Sequence, residues 1–249
     1  MDVRETDVMD NEAQSPAAEQ TLTVTFIVPV YNEEATVGSV LERIEALPLG
    51  KQLVIVDDGS TYGTPEILSQ WDGRLPTTIV RQPNRGKGAA IRAAIPHITG
   101  EIVVIQDADG EYDPADVPRL IEPITRGAAD VVFGSRLSGG QPQRAYMFWH
   151  LVGNRFLTLL TNILFNTTLS DMETGYKAFR ADVLRSLDLR RDDFGIEPEI
   201  AGKVCLRHLR LYQIPIAYYG RSYGEGKNIT WRDGFKAIGV LLAVRLRGR

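Results

Sequence analysis

The chain has 249 residues, enough for one full core and an ordinary single α/β domain. Its net charge of −4, with 43% hydrophobic and 24% charged residues, is that of a soluble globular protein, and positive charge is too dispersed for a nucleic-acid partner. One cysteine, Cys205, excludes an internal disulfide and a cysteine-rich zinc site. The absence of a basic-then-apolar leader or a run of about eighteen apolar residues argues against secretion or membrane spanning, so a cytoplasmic protein is expected.

Residues 1–20 hold six acids (Asp2, Glu5, Asp7, Asp10, Glu12 and Glu19) against Arg4 and lack any hydrophobic period, so they read as a disordered acidic tail. Leu22–Val30, rich in Val, Thr, Phe and Ile, reads as a strand. In YNEEATVGSVLERIEALP, Val37, Val40, Leu41, Ile44 and Leu47 keep helical spacing up to Pro48. QLVIVDDGS is a second strand ending in acids, and TYGTPEILSQW begins a helix with Pro65 near its first turn. TTIVRQ is a short third strand, and KGAAIRAAIPHI is a helix interrupted at Pro96. EIVVIQDAD, DPADVPRLIEPIT and ADVVFGSRL then give strand, helix and strand. Repeated alternation with short connections predicts an α/β fold with a doubly wound, mostly parallel sheet and right-handed crossovers.

Two more helices follow. In AYMFWHLVGNRFLTLLTNILFNTTLSD, Phe148, Trp149, Val152, Phe156, Leu159, Leu160 and Ile163 follow one stripe, which Leu151, Leu157 and Leu164 widen. Such breadth predicts burial between layers or at a dimer contact; the alternative is an interfacial helix that seats Trp and Phe at a lipid boundary. WRDGFKAIGVLLAVRLRGR pairs an apolar face with Arg232, Lys236, Arg245, Arg247 and Arg249. This suits either a solvated basic edge or a peripheral membrane contact with anionic lipid.

In open α/β sheets ligands sit outside the carboxyl ends of the strands. Those ends carry Pro29-Val-Tyr31-Asn-Glu33, Asp57-Asp58-Gly-Ser60, Gln106-Asp107-Ala108-Asp109 and Gly134-Ser-Arg136. The first turn, PVYNEEATVG, puts acids where a dinucleotide fold needs glycines, and NRGKGAAIR lacks the P-loop spacing and hydroxyl. Gly86 and Gly88 in the latter either approach a ligand or cap the next helix. On an extended segment Asp107 and Asp109 point the same way and can share one cation, Mg²⁺ or Mn²⁺ by ligand hardness. Asp57-Asp58-Gly-Ser also fits an Asx-type turn.

The motifs VPVYNEE, VIVDDGSTYGT, NRGKGAAIRAA, QDADGEYDP, VVFGSRL, DMETGYKAFR, EPEI and RSYGEGK, in that order, resemble family 2 glycosyltransferases of the GT-A fold, in the dolichol-phosphate mannose synthase-like branch. The resemblance spans residues 22 to about 235. It divides the chain into the tail 1–20, a GT-A domain over 21–228 and a basic amphipathic helix over 229–249. It implies inverting transfer of a hexose from a GDP- or UDP-linked donor to a polyprenyl or dolichyl phosphate, with a soluble or glycan hydroxyl as the alternative acceptor. By the same resemblance Pro29, Tyr31, Glu33, Asp57, Asp58, Lys87 and Ala108 belong to the nucleotide-sugar site. Asp107 and Asp109 hold the metal on the diphosphate with Glu111 joining them, in place of the Gln common in this branch. Arg136, Arg221 and Lys227 meet phosphates, and Asp171 with Glu173 stands on the acceptor side as the catalytic acids, with Arg136 counted among the catalytic residues; read locally, Asp171 could instead cap a following turn. Glu197 and Glu199 either orient substrate or open a helix at Pro198. Rival readings are a sugar-1-phosphate nucleotidyltransferase, which would want a glycine-rich basic loop after the first strand, and a catalytically silent sugar-nucleotide-binding module, which would lack the acids found here.

Overall fold

A computed structural model describes residues 22–145, 147–221 and 231–247. The acidic tail 1–20, Lys227 and the boundary expected at 228–229 lie outside the described residues. The described residues form a sheet from β1 (Thr23–Val30), β2 (Gly50–Asp57), β3 (Thr77–Arg81), β4 (Ile102–Ile105), β5 (Val131–Ser135), β6 (Lys177–Arg180) and β7 (Leu211–Pro215), in the order β3-β2-β1-β4-β6-β5-β7. All neighbours are parallel except β6, which runs antiparallel to both β4 and β5. Helices α1 (Val37–Glu45), α2 (Thr64–Ser69), α3 (Lys87–Ala94), α4 (Val117–Thr125), α5 (Phe148–Phe165), α6 (Ala181–Ser186), α7 (Ile196–Leu206) and α8 (Trp231–Arg247) complete it.

The central strands are apolar on both faces, and their period-two alternation splits the core in two. Val24, Phe26, Val28, Leu53, Ile55 and Val104 pack with α1, α2 and α4 on one side. Ile27, Val54, Val56, Val103, Ile105, Phe133 and Phe179 pack with α3, α6 and α7 on the other. The sheet is therefore covered by helices on both faces, as the strand–helix alternation predicts. Helix α3 stops at Ala94 and continues as a 3-10 turn over Ile95–His97, because Pro96 lacks the N–H that the next helical bond needs.

Two features depart from the sequence expectation. Strands β6 and β7 join the five anticipated; β6 has four residues, too short for a periodic signal, and is specified by pairing on both sides. The stripe of α5 is not buried between layers: Phe148, Trp149, Val152, Phe156, Leu159 and Ile163 are all exposed, while Leu157, Thr158 and Thr161 face inward. The helix packs by a narrow inward strip, and hydrophobicity all round did not mean burial all round. Leu157→Ala should therefore cost about 2–4 kcal/mol in urea unfolding, whereas the adjacent Phe156→Ala should stay within about 0.5 kcal/mol. Equal costs would return the stripe to the core.

Candidate active site

The carboxyl ends of β1, β2, β4 and β5 open on one edge, and the antiparallel β6 brings its own entry loop there. Ile105 at the end of β4 pairs with Lys177 at the start of β6, so the segment Asp171–Tyr176 is laid beside Asp107. Gly175 makes this approach possible, since a Cβ there would collide with Asp107 Oδ2 and come within 2.8 Å of Lys87 Nζ. Its amide donates to the Tyr112 hydroxyl at 2.9 Å, and Tyr112 stacks on Tyr176 with centroids 5.1 Å apart.

Charges of opposite sign alternate through this floor. Lys87 Nζ lies 2.7 Å and 2.9 Å from the two Asp107 oxygens and 3.0 Å from Glu197 Oε1, and Lys177, fully buried, closes on Glu197 Oε2 and the Thr174 carbonyl. Burial alone would strip the Lys87 proton, but Asp107 and Glu197 reverse this and raise its pKa. Glu197 is likewise desolvated, yet the two lysines hold its carboxyl below the usual range. Lys177 was not singled out from sequence; a lysine in an apolar strand facing a helix that opens with Glu197 is the signal that could have found it.

At the outer side Arg221 forks onto Glu33 at 2.9 and 3.0 Å and reaches Asp109 Oδ2 at 3.3 Å. Burial, then the charges of Asp107 and Glu111, push the Asp109 carboxyl up to about 7. Glu111 accepts from the Tyr218 hydroxyl and from the Arg221 amide, each at 2.6 Å, so it ties the chain after β7 to the acid loop. Ala108 is buried between the two aspartates.

Arg136, just past β5, is gripped by Asp171. Its Nε and Nη2 donate at 2.7 and 2.8 Å, and its amide donates at 3.0 Å. Asn154 of α5 adds a fourth bond at 2.8 Å. Burial would raise the Asp171 pKa, but Arg136 outweighs it and holds the carboxylate ionised. The guanidinium also lies 5.1 Å from the Tyr218 ring centroid. Glu173, two residues on, has Oε1 buried with no hydrogen-bond partner among the described residues. Burial, then the Glu197 charge, raise its carboxyl to about 7.

The residues expected at the nucleoside end fall on the same edge. Tyr31 is half exposed beyond β1, and Pro29 is partly exposed in it. Asp57 accepts from the Ser60 amide at 2.9 Å in the Asx-type turn. Asp58 is buried and spends its oxygens on Gln82, Arg85 and Gly86. Gly86 is the N-cap residue of α3 at φ 101°, the capping alternative read from sequence, whereas Gly88 lies inside the helix. A Cβ at either would strike the backbone of Arg191–Asp192, whose carbonyl accepts from the Ala89 amide at 3.0 Å, so the glycines admit a second chain segment.

No group of three metal-ligating side chains is preassembled among the described residues. Two carboxylates and substrate phosphates suffice for Mg²⁺ or Mn²⁺, and the crowded, desolvated pair Asp107 and Asp109 fits that requirement. Gly175→Ala should lower turnover by roughly a hundredfold by displacing the Asp107–Lys87 pair, and should lower the circular-dichroism melt as well because a buried ion pair is disturbed; wild-type turnover with an unchanged melt would remove that pair from the site.

Comparison with known proteins places the family and the fold. The glycosyl transferase family 2 model matches residues 25–188. Glycosyltransferase AglJ of Haloferax volcanii is 32% identical over 213 residues, covering 85% of this chain and 68% of the relative. Dolichyl-phosphate hexose transferase of the same organism is 30% identical, covering 89% and 95%. Glucosyl-3-phosphoglycerate synthase from Mycobacterium tuberculosis, crystallised with Mn²⁺, uridine diphosphate and phosphoglyceric acid, shares the fold with a TM-score of 0.68 at 23% identity, covering 90% of this chain and 78% of that one. The chain belongs to glycosyl transferase family 2 and is a glycosyltransferase built on the GT-A fold.

Proposed function

We propose that the enzyme transfers a hexose from a GDP- or UDP-linked donor to a polyprenyl phosphate, with inversion at the anomeric carbon. The observation that carries this reading is the Asp171–Arg136 pair. Asp171 is fully buried and accepts four hydrogen bonds, three of them from Arg136, so it orients a guanidinium rather than waiting for a proton. An oriented guanidinium suits a phosphate, and an acceptor that is already anionic needs no base. The name of the dolichyl-phosphate hexose transferase relative supports the same acceptor class.

Asp107 and Asp109 would hold the divalent cation, which when bound supplies Lewis-acid neutralisation of the departing diphosphate. Glu111 would reach it only by releasing Tyr218 or Arg221. Arg221 contributes donors to the growing negative charge, and Lys227 is assigned to the same task from its motif, while Arg136 faces the acceptor phosphate. Tyr31, Pro29, Glu33 and Asp57 line the nucleoside end, while Lys87 fixes Asp107. An acceptor oxygen attacks the anomeric carbon from the face opposite the diphosphate, a new C–O bond forms, and the old bond's electron pair leaves with the diphosphate. No proton has to move when the acceptor is a phosphate. The reading keeps the cytoplasmic placement expected from sequence, at the inner face of the membrane that carries the acceptor.

Glu173 favours a second reading. A carboxyl with one buried oxygen that has no hydrogen-bond partner among the described residues, raised to about 7, is what a base for a hydroxyl acceptor would be. It stays protonated below about pH 7, so base catalysis would switch on as pH rises through that value. Assaying undecaprenyl phosphate against undecaprenol separates the two. Transfer to the phosphate alone is expected, and Glu173→Gln should leave no change near pH 7, while Arg136→Lys loses roughly a hundredfold. Transfer to the alcohol, with a rate that rises through pH 7 and loses that rise in Glu173→Gln, would establish the hydroxyl reading.

A further inference from the structure

Both acids of EPEI are buried in the first turn of α7, Glu197 at 4% exposure and Glu199 at 3%, and both are engaged by donors of the chain itself. They hold Lys87 from two sides. Glu199 accepts from the Arg190 and Arg191 amides at 3.0 and 2.8 Å, which fixes the segment whose next carbonyl, that of Asp192, takes the Ala89 amide in the first turn of α3. The backbone that carries Lys87 is therefore set from α7. Glu197 acts on the ammonium itself. Its Oε1 lies 3.0 Å from Lys87 Nζ as an ion pair without an aligned hydrogen bond, whereas Nζ lies 2.7 and 2.9 Å from the two Asp107 oxygens. Its Oε2 meets Lys177, whose Nζ also meets the Thr174 carbonyl in the segment that runs on from Asp171. One carboxylate stands between two desolvated lysines, one on each side of the site.

We propose that Glu197 is a positioning residue: by holding Lys87 and Lys177 together it sets how much of the Asp107 carboxylate is left for a divalent cation. The effect comes from shared charge. Lys87 brings one positive charge to two carboxylates, so the part of it that Glu197 draws off leaves Asp107 more negative. Lys177 neutralises Glu197 from behind. It is fully buried, with the Phe133 ring centroid 4.8 Å from Nζ, so no water screens its charge along the row. Removing the Glu197 charge turns Lys87 wholly onto Asp107 and leaves Lys177 without its counter-ion, and both changes oppose a cation. Removing the Lys177 charge does the reverse: Glu197 draws harder on Lys87, and the row becomes one charge more negative. Glu197 also spans the site, since Lys87 fixes Asp107 while Lys177 fixes Thr174 on the acceptor side. The inference rests on the reading in which Asp107 and Asp109 hold the cation.

The test titrates Mn²⁺ alone into the full chain and follows uptake by the loss of the free-ion electron paramagnetic resonance signal, with each variant checked for folding by circular dichroism. Glu197→Gln, which keeps the length and loses the charge, should bind Mn²⁺ about tenfold more weakly than wild type, and Lys177→Met at least about threefold more tightly. The double variant, which removes the two charges together, should lie between them. Opposite shifts mark a shared charge. A pair that only braces the fold would lower both thermal melts and move Mn²⁺ affinity in one direction or not at all, and that result would overturn the inference. If Glu197→Gln does not fold, Lys177→Met decides: a folded Lys177→Met with unchanged or weaker Mn²⁺ binding overturns the role of Glu197. No uptake of Mn²⁺ by wild type would overturn the cation reading and this inference with it. Uptake that is the same in wild type and every variant would overturn the inference alone.

Discussion

The site rests on a row of charges that could not be buried singly. Asp107, Lys87, Glu197 and Lys177 alternate in sign across the ends of β4 and β6 and the first turns of α3 and α7. Each desolvated ion is costly, and the row is tolerable because every member has an opposite neighbour at contact distance. Removing one leaves its partners uncompensated, so the arrangement fixes β4, β6, α3 and α7 to one another. Beside the row, Asp109, which has Arg221 at 3.3 Å but two acids next to it, is the carboxylate most in need of positive charge.

Topology places the Asp107 end of this row at the open edge of the sheet, while Lys177 and Glu197 stay buried. A wholly parallel sheet would bring only strand C-termini to the edge. The antiparallel β6 adds its N-terminal loop, and with it Asp171, Glu173 and the close-packed Gly175. Asp107 and Asp109 after β4 and Asp171 before β6 therefore face one edge while lying some sixty residues apart in sequence. Tyr112, Tyr176 and Tyr218 form the wall between them.

Much of this was legible before the structure. Apolar runs ending in acids located β1, β2 and β4, and with β4 the acid pair at its carboxyl end; the extended geometry expected of that pair did not hold, because β4 ends at Ile105 and Ala108–Asp109 lie in a turn. What stayed hidden depended on contacts distant in sequence. Four residues of β6 carry no period, and nothing local reveals that Gly86 and Gly88 make room for residues 191–192. Asp171 reads locally as a cap or an acid; only the fold shows Arg136 and Asn154 closing around it. The stripe of α5 misled because hydrophobicity measures the wish to leave water, not which neighbour supplies the cover.

The central claim is that the acids after β4 form a seat for a cation and a diphosphate. Calorimetric titration with GDP and with UDP, each in Mn²⁺ and in EDTA, tests it most directly. The account predicts that one nucleotide binds in Mn²⁺ and fails to bind in EDTA. Equal binding in both, or no binding of either nucleotide with Mn²⁺ present, would contradict it.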